Sequence, residues 1–598
     1  MFVQPLAPVG GSLAWSAIMA ALPLLVLFVL LGVFKMKAWL ASIITLLVSV
    51  ILAMAVWGLP AETTLAAGSQ GLFFGIAQIM WILLAAVWLY NLSVRAGWDQ
   101  VLRQLLGGIT TDLRVVAIIV AFCFGALLEA LAGFGTPVAI TAAMLVAAGM
   151  KPLKAAVVCM VANTAPVAFG AVGAPIITLA TAVQSSFNQF FATAAPVSTD
   201  ALASALGAMA GRLTLPMAIL VPLFLVFLVD GWRGLKNTWG IALVSGIVFG
   251  VTQLVTSSWI SFSLASVMAA VVSIIVLVVI LRFYQPGNPV KAEPFKDGAQ
   301  SLANRDHDRS RSAVGAARLW GALAPYAIII VLFVITQLPP IRAWMGAIFG
   351  KLIHWPGLQS GSFPVDVSGA VIPQPSATTS LCGIVSQSQI DSGAALTSCT
   401  LGTVNLYSVL GTGTILFIGG LITAAVYRLK WSVAFGELWS TLKSLRFTII
   451  TIAAVLAIAY LLNASGMTLS LGTGLAASGG IFIVISPILG WLGVAITGSD
   501  TSANALFGGM QVTAANGIWP GSGQHAILVA AANTTGGVMG KMISPQSLSV
   551  ASAAAGMPNR EADIFRSVLG WSVVMVVIFA LVVFIEGTLI PGVIPLPG

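Results

Sequence analysis

Apolar residues run in blocks of about twenty along this chain, near residues 13–34, 38–57, 71–93, 213–229, 239–257, 262–281, 319–338, 407–427, 446–463 and 567–590. Each block is long enough to carry a helix across the roughly 30 Å hydrocarbon core of a bilayer. Two further stretches, 115–180 and 481–545, are apolar but repeatedly interrupted by Gly, Pro and polar residues. The pattern predicts three shorter helical pieces in each: near 115–132, 137–150 and 155–180, and near 481–497, 502–514 and 525–544. The expected fold class is an all-α polytopic membrane protein. About 12–16 helical segments would form two inverted-topology halves, each with broken helices or re-entrant hairpins.

Composition narrows the class. Of 598 residues, 59% are apolar and only 7% charged, against roughly a quarter charged in soluble domains. The mean hydropathy is +1.04. The 61 Gly and 28 Pro lie inside apolar runs, where they mark close helix packing or broken helices. A net charge of +9 raises the question of nucleic acid, but the basic residues are scattered between hydrophobic runs and do not cluster with aromatics. No nucleic-acid partner is expected; the partner is the lipid bilayer.

Charge placement orients the spans. With the N-terminus outside, alternation leaves only Arg212, Arg342 and Lys351 of the 26 Lys and Arg on the outer side, as the positive-inside rule requires. Both termini are expected to be periplasmic, and the first apolar run is too long and lacks the basic flank of a cleavable signal. The domains are an N-terminal membrane half (1–284), a cytoplasmic linker (285–318) with six basic and four acidic residues, and a C-terminal membrane half (319–598) with an outer loop at 340–405. Cys123 and Cys159 read as packing residues, whereas Cys382 and Cys399 in the outer loop could form a disulfide.

The two interrupted stretches resemble each other. Asn163-Thr164-Ala165-Pro166 is followed by Gly170 and Pro175; Asn533-Thr534-Thr535-Gly536 is followed at the same offsets by Gly540 and Pro545. Upstream lie the breakers Gly133-Phe134-Gly135-Thr136-Pro137 and Gly498-Ser499-Asp500-Thr501-Ser502. Charge alternation turns the first breaker outward and the second inward. Such an inverted pair of broken helices points to a secondary-transporter site, because helix starts expose unpaired N–H groups and partial positive charge to an anion. The candidate substrate-binding residues are Gly133, Phe134, Gly135, Thr136, Asn163, Thr164, Ser499, Thr501, Ser502, Asn533, Thr534 and Lys541.

Three further residues are candidates for proton coupling. Glu129 and Asp500 lie within membrane-spanning stretches, where a charge costs at least about 2.5–3.5 kcal/mol, and His525 can relay protons. Glu586 reads as interfacial; His307 and His354 are loop residues without an evident partner. No metal-ligand pattern, ATP-binding loop or hydrolase signature occurs, so neither a cofactor nor an enzymatic activity is expected.

Glu129-Ala130-Leu131-Ala132-Gly133-Phe134-Gly135-Thr136-Pro137-Val138-Ala139-Ile140 and Gly498-Ser499-Asp500-Thr501-Ser502-Ala503-Asn504 resemble the bacterial L-lactate permease family, and the similarity extends over nearly the whole chain. The resemblance implies import of L-lactate, with D-lactate and glycolate as related substrates, by proton symport across the bacterial inner membrane. It also implies a distant relation to ion transporters with opposed hairpins and Asn-Thr tips, here Asn163-Thr164 and Asn533-Thr534. In that superfamily's dicarboxylate carriers a Ser usually precedes the Asn; here Ala162 and Ala532 do, which weakens the case for sodium at those tips. A sodium-coupled carrier of another small carboxylate and a passive anion channel remain open at this point.

Overall fold

The computed structural model describes residues 3–34, 36–98, 110, 112–131, 136–191, 197–290, 316–337, 339–349, 352–358, 363–364, 403–557 and 560–597. The architecture is all-helical, and eleven helices among the described residues are long and apolar enough to cross a membrane. In chain order the helices are α1 (Leu13–Phe28), α2 (Ala38–Ala55), α3 (Ala61–Phe74), α4 (Trp81–Arg95), α5 (Leu113–Val116), α6 (Gly125–Leu131), α7 (Thr136–Ala147), α8 (Pro152–Ala162), α9 (Gly170–Phe191) and α10 (Thr199–Val255). They continue with α11 (Ala265–Phe283), α12 (Ala316–Gln337), α13 (Pro339–Phe349), α14 (Leu406–Val426), α15 (Trp431–Ser465) and α16 (Met467–Ala476). The last five are α17 (Phe482–Thr497), α18 (Asp500–Ile518), α19 (Gly523–Gly540), α20 (Pro545–Ala554) and α21 (Glu561–Thr588). Short π-helical turns join α3 to α4 and α5 to α6, so each pair forms one rod. The strands are minimal: Val3–Gln4 pairs in parallel with Phe363–Pro364, and Leu352–His354 antiparallel with Thr403–Asn405.

Local chemistry sets the boundaries. Ser12 caps α1 by accepting from the Trp15 N–H, and Pro152 and Pro545 occupy first-turn positions where their missing N–H costs nothing. The 57-residue α10 turns at Asp230 and Gly231, the latter with φ of 58°. Beyond the turn the chain doubles back, so that Gly246 lies against the backbone of Ala218 and Ile219. The apolar blocks 213–229 and 239–257 are thus the two arms of one helical hairpin.

Burial separates inner from outer helices. The Leu113–Leu131 crossing is buried throughout, while α21 exposes Val573, Val577, Leu581 and Phe584, an apolar face suited to lipid. Trp232, Trp239 and Trp259 stand out at the α10 turn and beyond its end, where indole rings suit a membrane interface. Glu586, near the end of α21, pairs with Arg212 at 3.2 Å.

The interrupted stretches differ from the sequence expectation in one respect. The piece expected at 155–180 is two helices, α8 and the body of α9, separated by a break across residues 163–173. At 12 and 11 residues, α7 and α8 are about 16–18 Å long and too short to cross a bilayer. Cys123 and Cys159 are buried free thiols; Cys382, Cys399, His307, most of the linker and most of the outer loop lie outside the described residues.

Candidate functional site

Both interrupted stretches meet at one small cavity of about 40 Å³, room for a few water molecules. Its lining comes from Glu129 on α6, Val167, Gly170 and Ala171 in the first break and Pro175 just after it, Gly498, Ser499, Asp500 and Thr501 at the α17–α18 tip, and Lys541 beyond α19. Ala171 and Lys541, which hold corresponding positions after Gly170 and Gly540, both face it.

Local sequence explains each break. Ala171, Val172 and Gly173 adopt positive φ values of 44°, 56° and 81°, a left-handed run that costs roughly 1–2 kcal/mol for each residue bearing a Cβ. Neighbouring helices receive the carbonyls this break releases. Gln253 Nε2 donates to Ala165 O at 3.4 Å, Ser266 Oγ to Pro166 O at 3.2 Å and Asn504 Nδ2 to Pro175 O at 3.1 Å. In the second stretch Gly498 closes α17 with φ of 74°, and Ser499 caps α18 by accepting from the Ser502 N–H. Past α19, Ser544 caps α20 in the same way, accepting from the Ser547 N–H.

Charge inside the cavity is organised around Lys541. Its Nζ donates to Glu129 Oε1 at 2.5 Å, an ion pair with both side chains almost fully buried. Asp500 is 4% exposed, and its Oδ2 accepts from Thr534 Oγ1 at 2.6 Å. Among the described residues, Glu129 Oε2 and Asp500 Oδ1 are buried without a hydrogen-bond partner. Two helix starts, one cation and two carboxyl oxygens with spare acceptor capacity therefore border the same space. That set can receive a small anion together with a proton.

A hydrogen-bonded chain runs from Asp500 into the protein. Thr534 accepts from Asn504 Nδ2 at 2.8 Å, Asn504 Oδ1 accepts from Asn533 Nδ2 at 2.9 Å, and Asn533 Oδ1 accepts from Gln511 Nε2 at 3.0 Å. Asn504 and Gln511 were missed from sequence. Their signal was spacing: positions 500, 504 and 511 fall within about 40° of one another at 100° per residue.

The predicted site residues divide accordingly. Glu129, Ser499, Asp500, Thr501 and Lys541 line the cavity; Ser502 is buried one turn in and serves the cap. Asn163 ends α8, and with Thr164 it borders a tight crevice on another side of Lys541. Asn533 and Thr534 do not form a tip. They sit inside the unbroken helix α19, because no Gly or Pro interrupts its hydrogen-bond ladder before Gly536, and the break falls at Lys541. His525 is also separate. It contacts Ser522 Oγ and Gly587 O and stacks on Trp519, about 24 Å along the helix from Lys541. Gly133, Phe134 and Gly135 lie outside the described residues, as does the side chain of Thr136.

Comparison with known proteins shows the family. The L-lactate permease family model matches residues 16–590. The chain is 36% identical to glycolate permease GlcA of Escherichia coli K12 over 99% of both chains. It is 33% identical to the L-lactate permease of Bacillus subtilis 168 over 99% of this chain and 100% of that one, and 35% identical to that of Escherichia coli K12 over 98% of both. Among solved structures, the Alcanivorax borkumensis YdaH transporter aligns over 85% of each chain at 14% identity with a TM-score of 0.37, a distant likeness. The chain belongs to the L-lactate permease family and is a transporter, not an enzyme.

Proposed function

We propose that this protein imports small 2-hydroxy monocarboxylates, L-lactate first and D-lactate and glycolate after it, by proton symport across a bacterial inner membrane. The observation that carries the reading is the convergence of both interrupted stretches on one cavity holding Lys541, Glu129 and Asp500. A single carboxylate suits Lys541 and the two helix starts. The 2-hydroxyl suits Ser499 and Thr501, and a methyl or hydrogen suits the Val167, Gly170 and Ala171 wall. An acid at the cavity supplies the coupling, and His525 has no part in it. The two stretches are inverted repeats with both termini periplasmic, a reading supported by the charge alternation and by the matching offsets of Gly170–Pro175 and Gly540–Pro545. Names of relatives that transport lactate and glycolate favour the same substrate class.

The test is uptake of labelled L-lactate into proteoliposomes. An inward proton gradient is expected to drive accumulation and an uncoupler to abolish it. Uptake that follows sodium and ignores pH sinks the proposal in favour of a sodium-coupled carrier; flux that never concentrates substrate sinks it in favour of a channel. Asp500→Asn is expected to lower concentrative uptake at least about tenfold, because the amide puts a buried N–H donor where the acid has its unpartnered oxygen, at a cost of about 1–3 kcal/mol.

A further inference from the structure

The buried pair of Lys541 and Glu129 closes the cavity on itself: the cation that would attract a substrate carboxylate is already bound to one. A third group, Asp500, sits at the same cavity with one oxygen unpartnered. Adding an anion here without any other change would leave two or three negative groups around one cation in a medium of low dielectric, which is prohibitive.

We propose that substrate binding is an ion-pair exchange: the incoming carboxylate takes Lys541 from Glu129, and the released Glu129 takes the proton that accompanies the substrate. This deepens the transport reading above and rests on it. The bond from Lys541 Nζ to Glu129 Oε1 breaks, and one from Nζ to a substrate carboxylate oxygen forms. A proton from the outer solution binds the freed Glu129 carboxylate, whose Oε2 has no hydrogen-bond partner among the described residues. On the inner side the proton leaves, the substrate departs as the anion, and Nζ returns to Oε1. One proton crosses with each anion, and no net charge moves. Asp500 keeps Thr534 as its partner throughout, so the ratio does not depend on its state.

Apart from Asp500 and Lys541, no titratable group among the described residues lines the cavity beside Glu129. The helices and turns packed against α6 carry Tyr90, Arg95, Cys123, Lys154, Cys159 and Arg282, and none of these lines the cavity. Lys154 is engaged elsewhere, donating to Val229 O at 2.8 Å. Exchange also explains why a buried pair is present where an apolar pair of equal volume would be as stable or more so: its alternative partner is the cargo.

The experiment uses the full-length protein in proteoliposomes, with L-lactate as probe and with pH gradient and membrane potential set independently. Wild-type uptake is expected to follow the pH gradient and to ignore an imposed potential. Glu129→Gln frees Lys541 in advance, so L-lactate is expected to bind about tenfold more tightly or better. Uptake by that variant is expected to lose its pH dependence and to respond to an inside-positive potential, because the anion now crosses alone. Lys541→Gln is expected to lose binding, and Lys541→Arg to keep coupled uptake. Should Glu129→Gln not assemble, Glu129→Asp decides: its shorter arm weakens the pair, so one proton per anion with raised L-lactate affinity supports exchange, and unchanged or weaker affinity overturns it. A Glu129→Gln protein still driven by pH and indifferent to potential overturns the exchange and leaves proton symport standing. Wild-type uptake indifferent to pH overturns symport and the exchange with it.

Discussion

Thr534 shows how one hydroxyl can organise a buried site. It donates to Asp500 and accepts from Asn504, so it satisfies two groups that are almost fully buried. Thr534→Val keeps the volume but removes both bonds, leaving two buried polar groups at a cost of about 1–3 kcal/mol each. Thr534→Ser retains both and is expected to stay within about 1 kcal/mol of the native protein. Thermal unfolding of the purified protein distinguishes the pair; equal losses in both variants would mean that the methyl, not the hydroxyl, matters. At this scale the sequence exposed the acids and Lys541, because ionisable residues stand out in apolar text. It could not say that Thr534 points at Asp500 and not at a ligand, since that follows from how α18 and α19 pack.

Elements carry the breaks. The α17–α18 tip was readable from Gly498 followed by a capping Ser, a combination that ends one helix and starts another. The first break was less readable. Nothing in Ala171-Val172 announces a left-handed backbone, which neither residue favours. The break persists because Gln253, Ser266 and Asn504 receive its carbonyls. Ala171→Gly relieves the conformational cost at a position where only a methyl is lost. It is expected to stabilise the protein by about 0.5–1 kcal/mol, read as a raised melting temperature; a lowered one would show that the strain is absent. Backbone contact fixes the other side of the site: a Cβ on Gly536 would collide with the backbone of Pro487 on α17. Glycine at that point lets α17 and α19 approach closely enough to hold Asp500 against Thr534.

The whole molecule is tied together away from the cavity as well as at it. Arg114, fully buried at the start of α5, binds Asp112 at 2.7 Å and Asp230 at 3.3 Å and donates to the carbonyls of Gly287 and Asn288. One guanidinium thus joins a helix start, the α10 turn and the chain after α11. Arg114→Met leaves the Asp112 charge buried and unpaired, at a cost of about 3–5 kcal/mol. The loss is expected as a lowered melting temperature whose size is unaffected by L-lactate. A variant as stable as the native protein would remove the clamp from the account.

What the sequence by itself determined is the membrane class, the crossing helices and the positions of most breaks. These depend on hydropathy, on Gly and Pro, and on Ser caps, which act over a few residues. Only the tertiary structure decided which breaks meet and what each polar side chain faces. Asn533 and Thr534 read like a tip but are helix interior, and Lys541 and Glu129, more than 400 residues apart in sequence, share one bond. In a bilayer the apolar surface specifies that a helix is buried or exposed to lipid, but not its neighbour. The neighbour is chosen by close contact at small residues and by the need of each buried polar group for a partner.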